Sequence, residues 1–122
     1  MKNLVSIVEI PTVNLSRAIT FYQSILEVSI EHIDMQGIQM GVFPGDGEVV
    51  SVALIKGDDY KTTVDGTLVY LNAGDDLQII LDRIETNGGK VVVPKTEISP
   101  EMGFFAMFID TEGNKLGLHS TR

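Results

Sequence analysis

The chain has 122 residues, 43 % of them hydrophobic and 21 % charged, a composition typical of one globular domain and not of a disordered segment. Its formal net charge of −8 disfavours nucleic acid and anionic membrane surfaces as partners, because an acidic protein repels phosphate groups. It has no cysteine, which excludes disulfides, thiolate metal sites and cysteine nucleophiles.

The first half of the chain predicts a strand, a helix and three further strands. The β-branched run Leu4–Ile10, ended by Pro11, is typical of a strand. Asn14 is a predicted N-cap for a helix whose apolar residues recur at helical spacing as far as Leu26. Three extended runs and one turn follow, namely Val28–Asp34, Ile38–Phe43, the turn Pro44–Gly47, and Val49–Ile55.

The second half repeats this order after the polar stretch Lys56–Asp65, which we interpret as a linker. Asp75 or Asp76 is the predicted N-cap of a second helix. Asn87–Gly89 is the predicted end of that helix, because glycine adopts the left-handed conformation at little steric cost. The other predicted elements are the strands Thr67–Leu71, Val91–Val93 (stopped by Pro94), Phe104–Ile109 and Lys115–His119, the loop Thr96–Gly103 and the turn Asp110–Asn114.

The two halves align as an internal repeat. A shift of 62 residues, from Asn14 to Asp76, places the apolar stripe of the first helix on that of the second. A shift of 66 residues, from Gly47 to Gly113, aligns the last strands. The sequence therefore predicts an α+β protein that is a single domain, 1–122, with one βαβββ module at about 1–57 and another at about 66–122. The alternative is two unrelated α+β stretches.

Three stretches carry a resemblance to the vicinal oxygen chelate superfamily, the group of glyoxalases, bleomycin-resistance proteins and extradiol dioxygenases. Val8–Tyr22 resembles its first strand and helix with an Arg-x-x-x-Phe-Tyr ending, and Asp75–Val92 resembles its second helix with a Gly-Gly stop. Phe104–Ser120 resembles its closing hairpin with an Asp-x-x-Gly-Asn turn. The resemblance implies two modules that form an open sheet around a cavity, often with a divalent metal at its floor. It does not decide the function, because this fold hosts isomerases, dioxygenases and non-catalytic drug-binding proteins.

The resemblance also implies four metal-ligand positions, one on the first and one on the fourth strand of each module. Matched to this sequence, these positions hold Ile7, Ser51, Val69 and Gly117. Three of these residues offer no side-chain donor and serine is a weak ligand, whereas a hard or borderline cation needs several N or O donors. We therefore predict that the protein has no metal and no other cofactor.

Six residues are candidates for a ligand-binding site on the cavity face of the strands. Glu9 and His119 lie two residues from a ligand position and so share its face, and Ser51 occupies such a position. Glu9 has two structural alternatives, an ion pair with Arg17 or Lys2 and a cap on a nearby backbone amide. His119 has one, a strand-end hydrogen bond. The remaining candidates are apolar residues that alternate along predicted strands and are also common in ordinary cores: Met40, Phe105 and Met107.

Three hypotheses for the function follow, and no residue is assigned a catalytic role. The first is a metal-free protein that binds a small organic ligand in the cavity. The second is a metal-dependent lyase, isomerase or dioxygenase with a non-standard ligand set such as Glu9, His119 and groups from a second chain. The third is an interaction subunit without a pocket.

Partners and compartment are predicted from the same sequence. No apolar run approaches the roughly 20 residues of a membrane span, and the N-terminus lacks an apolar core long enough for a signal peptide. We therefore expect a cytoplasmic protein with a small-molecule ligand and neither nucleic acid nor membrane as a partner. A homodimer is also expected, because related folds often pair two chains and two-fold symmetry is the commonest form of soluble oligomer.

Overall fold

The computed structural model describes residues 4–45 and 50–122, and its elements follow the predicted β-α-β-β-β order twice. Parts of the predicted turn Pro44–Gly47 and strand Val49–Ile55 lie outside the described residues. The first five elements are β1 (Ile7–Pro11), α1 (Leu15–Leu26), β2 (Glu31–Met35), β3 (Ile38–Val42) and β4 (Ser51–Lys56). The others are β5 (Tyr70–Asn72), α2 (Leu77–Ile84) with a 3-10 turn (Glu85–Asn87), β6 (Lys90–Ser99), β7 (Gly103–Ile109) and β8 (Lys115–Ser120).

The strands form two four-stranded sheets with the same topology. Their orders are β1-β4-β3-β2 and β5-β8-β7-β6. In each sheet the first strand runs parallel to the last strand of its module, and the remaining neighbours are antiparallel. The predicted α+β class and fold are therefore confirmed.

The two helices lie on one face of each sheet and share a single core. The Phe21 ring of α1 lies 6.2 Å from the Phe108 ring of β7, so α1 packs against the second sheet as well as its own. Every second residue of the strands points towards the helices and the core, as Ile10, Leu54 and Leu118 do. The intervening residues therefore lie on the faces turned away from the helices, which we call the outer faces. Within the described residues, neither helix has the length and apolarity needed to cross a membrane.

Both predicted N-caps are confirmed. The Asn14 side chain accepts a hydrogen bond from the Arg17 amide at 3.0 Å, and the Asp76 side chain accepts one from an amide of the first turn of α2, also at 3.0 Å. The 3-10 turn after α2 ends at Gly88 with φ of 99°, which is the predicted left-handed glycine. At the end of α1 this conformation is adopted by Glu27 (φ of 55°), a residue type that gives no sequence signal for it.

The predicted loop Thr96–Gly103 is wrong over its first half, because β6 continues through Pro94 as far as Ser99. β6 is an edge strand that pairs with β7 on one side, and its register shifts between Val93 and Thr96. A proline lacks the backbone N–H, but an edge position and a bulge leave no ladder bond for that N–H to make. Pro94 therefore bends the strand without ending it.

The first strand of each half is also shorter at its start than predicted. β1 begins at Ile7 where the sequence predicts Leu4, and β5 begins at Tyr70 where it predicts Thr67. Apolar residues precede both strands, so hydrophobicity marks the extended run but not the residue at which backbone pairing begins.

Candidate functional site

The six candidate residues lie on the outer faces of two different sheets. In the first sheet, Glu9 lies opposite Ala53 and Met40 opposite Ile55, and Ser51 is two residues from Ala53 on the same face. In the second sheet, His119 lies opposite Phe105 and Met107 lies opposite Gly117, and all four are on the outer face.

Glu9 has an exposed side chain and faces a tyrosine that the sequence did not single out. This residue is Tyr60, and its pKa is raised first by partial desolvation. A hydrogen bond with Glu9 and the negative charge of Glu9 raise it further. The predicted alternative of an ion pair between Glu9 and Arg17 is wrong, because Arg17 Nε lies 2.8 Å from Oε2 of Glu112. Lys2, the other predicted partner, lies outside the described residues.

A small pocket lies between the two sheets, where β1 meets the start of β8. Its volume is about 70 Å³, and we call it the seam pocket. Glu9 is one of its lining residues, and the other five candidates are not. Its remaining polar lining, which the sequence did not identify, consists of Thr63, Thr67, Asn114 and Lys115. Thr63 lies in the segment interpreted as a linker, and Thr67 lies at the predicted start of a strand. Neither position carries a sequence pattern that indicates a site residue.

His119 makes the strand-end hydrogen bond named as its structural alternative. Its Nε2 lies 2.6 Å from the backbone carbonyl oxygen of Met102. Because a carbonyl oxygen only accepts, Nε2 must carry the proton in this contact. His119 is therefore held by the loop before β7 and does not reach Glu9 through any hydrogen bond within the described residues.

The strand register corrects one of the four positions matched to metal ligands. Ile7 lies opposite Ser51 in the first sheet, and Tyr70 lies opposite Gly117 in the second. The equivalent of Ile7 is therefore Tyr70 and not Val69. The reason is that the link from strand to helix is one residue shorter in the second half, so the shift that fits the helices does not fit the first strands.

Tyr70 covers the neighbouring position on β8. A Cβ atom at Gly117 would collide with the Tyr70 ring, so this glycine leaves the space that the ring fills. The same ring stands edge-on to Phe105 at a centroid distance of 6.5 Å. In the second sheet an aromatic side chain thus occupies the region matched to two metal ligands.

The turn between β7 and β8 contains a buried carboxylate, Asp110, that accepts several hydrogen bonds. Buried Asp110 accepts from the Tyr22 hydroxyl at 2.7 Å and from the amides of Glu112 and Asn114, each at 2.9 Å. Burial, and then the charge of Asp110, raises the pKa of Tyr22 well above its ordinary value. The tyrosine and the turn named in the family resemblance are therefore one buried hydrogen-bonded unit.

The Glu112 side chain, which is fully inaccessible to solvent, ties this turn to the start of α1. It accepts hydrogen bonds from the amides of Val13 at 2.8 Å and Asn14 at 2.6 Å, and from Arg17 Nε at 2.8 Å. Burial alone would raise the pKa of Glu112, but the hydrogen bonds from Arg17 and these amides together lower it below its ordinary value. We call these contacts of Glu112, together with those of Asp110, the turn–helix junction.

The family model of the Glyoxalase/Bleomycin resistance protein/Dioxygenase superfamily matches residues 4–118. The chain belongs to this superfamily. A glyoxylase-like domain-containing protein of Didymella fabae is 30% identical to it over 120 residues, which cover 90% of this chain and 88% of that protein. The resemblance stated from the sequence is therefore confirmed.

Solved structures of superfamily members share the fold. A glyoxylase/bleomycin resistance protein/dioxygenase domain from Frankia sp. EAN1pec superposes with a TM-score of 0.76 at 18% identity, over 100% of both chains. A mutant of the fosfomycin resistance protein FosX of Listeria monocytogenes superposes with a TM-score of 0.64 at 19% identity, over 100% of this chain and 92% of that one. It was solved with Mn(II) and dihydroxypropylphosphonic acid. A glyoxalase I mutant from Zea mays gives 0.72 at 16% identity; this chain is covered to 95% but spans only 45% of the maize one.

The divalent metal that the superfamily fold implies does not fit the residues of this chain. At the four matched positions, Ile7 and Gly117 supply no side-chain donor, and Ser51 and Tyr70 supply neutral hydroxyl groups. Such a set lacks the carboxylate and imidazole donors that hold divalent ions in proteins. Among residues 4–45 and 50–122, no three His, Asp or Glu side chains are grouped closely enough to share an ion.

Proposed function

We propose that this superfamily member is a metal-free protein that binds a small organic ligand between its sheets. The observation that carries the proposal is the content of the four matched positions: Ile7, Ser51, Tyr70 and Gly117. The Tyr70 ring, packed on Gly117, offers a ligand an aromatic surface and a hydroxyl group. A metal site at the same positions would instead need charged donors. Glu9, on the outer face of the first sheet at its β1 edge, supplies the charged group of the proposed site.

The proposed site combines Glu9, Ser51 and Met40 of the first sheet with His119, Phe105 and Met107 of the second. Within one chain these groups lie on separate faces, and the seam pocket of about 70 Å³ is much smaller than the roughly 300–1,000 Å³ of sites for drug-sized ligands. Larger open grooves of about 330 to 480 Å³ occur among the described residues, but none of the six candidates lines them. A larger ligand that contacts both sets of candidates therefore requires a second chain to bring them together. This size argument connects ligand binding with the predicted homodimer.

We place the proposed dimer contact on β1. β1 is an edge strand of its sheet, and its first residue and the segment before it carry apolar side chains in water, with Ile7 64% and Leu4 89% exposed. Exposed apolar residues on an unpaired strand edge favour association. Light scattering should give about twice 13.3 kDa at micromolar concentration, and Ile7→Lys should shift the protein towards the monomer. A monomer at high concentration would count against the dimer.

The ligand-binding proposal is tested by a thermal-shift screen of small organic molecules in the presence of a chelator. A ligand that binds the folded state raises the melting temperature. Glu9→Gln keeps the shape and removes the charge, so we expect weaker ligand protection with little change in the stability of the free protein. Glu97→Gln, which changes an exposed glutamate on β6, is the matched control. Lower stability with unchanged affinity in Glu9→Gln would assign Glu9 a structural role instead.

A further inference from the structure

The seam pocket contains one acidic and one basic side chain. Glu9 lines it from β1 and Lys115 lines it from the start of β8. No ion pair within 4.0 Å joins the two among the salt bridges of the described residues. Tyr60 hydrogen-bonds Glu9 but is not a cation, so among the described residues neither charge has an ion-pair partner, and each can pair with a group of opposite charge that enters the pocket.

The walls of the seam pocket are fixed to one another by hydrogen bonds. Asn114 Nδ2 donates to the Pro11 carbonyl at 2.7 Å, which joins β8 to β1. The Thr63 amide donates to Asn114 Oδ1 at 3.1 Å, and the Lys115 amide donates to the Thr63 carbonyl at 3.2 Å. Because β1, β8 and the segment at Thr63 are tied together, a ligand would not have to order them, and such preorganisation favours binding.

The size of the pocket limits the ligand to a few atoms. A pocket of about 70 Å³ is several times smaller than the roughly 300–1,000 Å³ of sites for drug-sized ligands, so a ligand that it encloses has only a few non-hydrogen atoms. The side chains of Thr63 and Thr67 add hydroxyl groups, which donate and accept hydrogen bonds. A molecule of this size that satisfies both charges carries an ammonium group and a carboxylate group.

We propose that the seam pocket binds a small amino carboxylate, with its ammonium group at Glu9 and its carboxylate at Lys115. This inference rests on the proposed function, since Glu9 belongs to that site, and it names the class of ligand. A simple amine would leave Lys115 without an anionic partner, and a simple carboxylate would leave Glu9 without a cationic partner. Affinity should therefore depend on both charges of the ligand at once.

The test is an NMR titration of the isotope-labelled full chain with glycine, β-alanine and 4-aminobutanoate, which differ in the spacing of their charges. Propanoate and ethylamine serve as ligands with one charge each. We expect at least one amino carboxylate to shift the amides of residues 63–67 and 114–116, and to bind about tenfold tighter than either single-charge ligand. Glu9→Gln and Lys115→Met should each remove that advantage, whereas the exposed β6 controls Glu97→Gln and Lys90→Met should keep it.

Any of three results would overturn the inference. The first is the absence of shifts at these amides with every amino carboxylate at millimolar concentration. The second is equal affinity for amino carboxylates and their single-charge counterparts. The third is equal affinity in the wild type and both pocket variants. If another organic molecule from the thermal-shift screen still binds without metal, the proposed function stands and only the class of ligand is wrong.

Discussion

The turn–helix junction and the four matched ligand positions are opposites in chemistry. At the junction, Asp110 and Glu112 are buried carboxylates, and each accepts several hydrogen bonds. At the matched positions, Ile7 and Tyr70 are exposed and Gly117 has no side chain. Arg17 and Tyr22, which carry part of the superfamily resemblance, lie at the junction, whereas the positions matched to its metal ligands carry no carboxylate or imidazole group.

The difference separates what maintains the fold from what performs its chemistry. Arg17 of α1 contacts Glu112, and Tyr22 of the same helix contacts Asp110, so both motif residues join the first half of the chain to the second. Their contacts would serve a metalloenzyme and a metal-free binding protein equally well. Membership of the superfamily therefore follows from the junction, and the function has to be argued from the outer faces.

Substitution at the junction should produce the largest loss of stability. Glu112→Gln removes the charge that the Val13 and Asn14 amides and Arg17 share, and hydrogen bonds to a charged group contribute about 1.5–3 kcal/mol. We expect the free energy of unfolding, measured by urea denaturation, to fall by about 2–3 kcal/mol. The exposed Glu97→Gln should change it by less than about 0.5 kcal/mol. Equal effects of the two substitutions would show that the junction contributes nothing particular to stability.

Acid should remove the contribution that the Glu112 carboxylate makes to the stability of the junction. The pKa of Glu112 is lowered in the folded state from an ordinary value of 4.5, so its contribution to stability is present above about pH 4.5. That contribution is lost as the pH falls through the lower pKa of the folded state. Urea denaturation at several pH values should therefore show the difference between wild type and Glu112→Gln shrinking below pH 4.5. A difference that stays constant down to pH 2.5 would contradict the assignment.

Substitution at a matched ligand position should have the smallest effect on stability. Ser51 is exposed and its side chain makes no hydrogen bond within the described residues, so Ser51→Ala should change the free energy of unfolding by less than about 0.5 kcal/mol. Urea denaturation checks this alongside Glu112→Gln. A loss comparable to that of Glu112→Gln would mean that the outer face is also part of the scaffold.

The sequence predicted the order of the elements, the two N-caps and the superfamily, because these depend on local periodicity and short motifs. It could not predict the partner of Arg17, since Glu112 lies 95 residues away in the chain. Nor did it identify Tyr70, because a link shortened by one residue moved the register of β5 relative to α2. Lys115 was predicted as a strand residue, and its role in the seam pocket depends on how the two sheets meet.

The central claim, that this member of the superfamily works without a metal, is tested most directly by elemental analysis of protein purified without chelator. We expect far less than one Zn, Ni, Fe or Mn ion per chain, and no tight binding when these ions are titrated back. Ile7, Ser51, Tyr70 and Gly117 together supply too few donors to hold such an ion. One tightly held transition-metal ion per chain would contradict the account and support the metal-dependent enzyme.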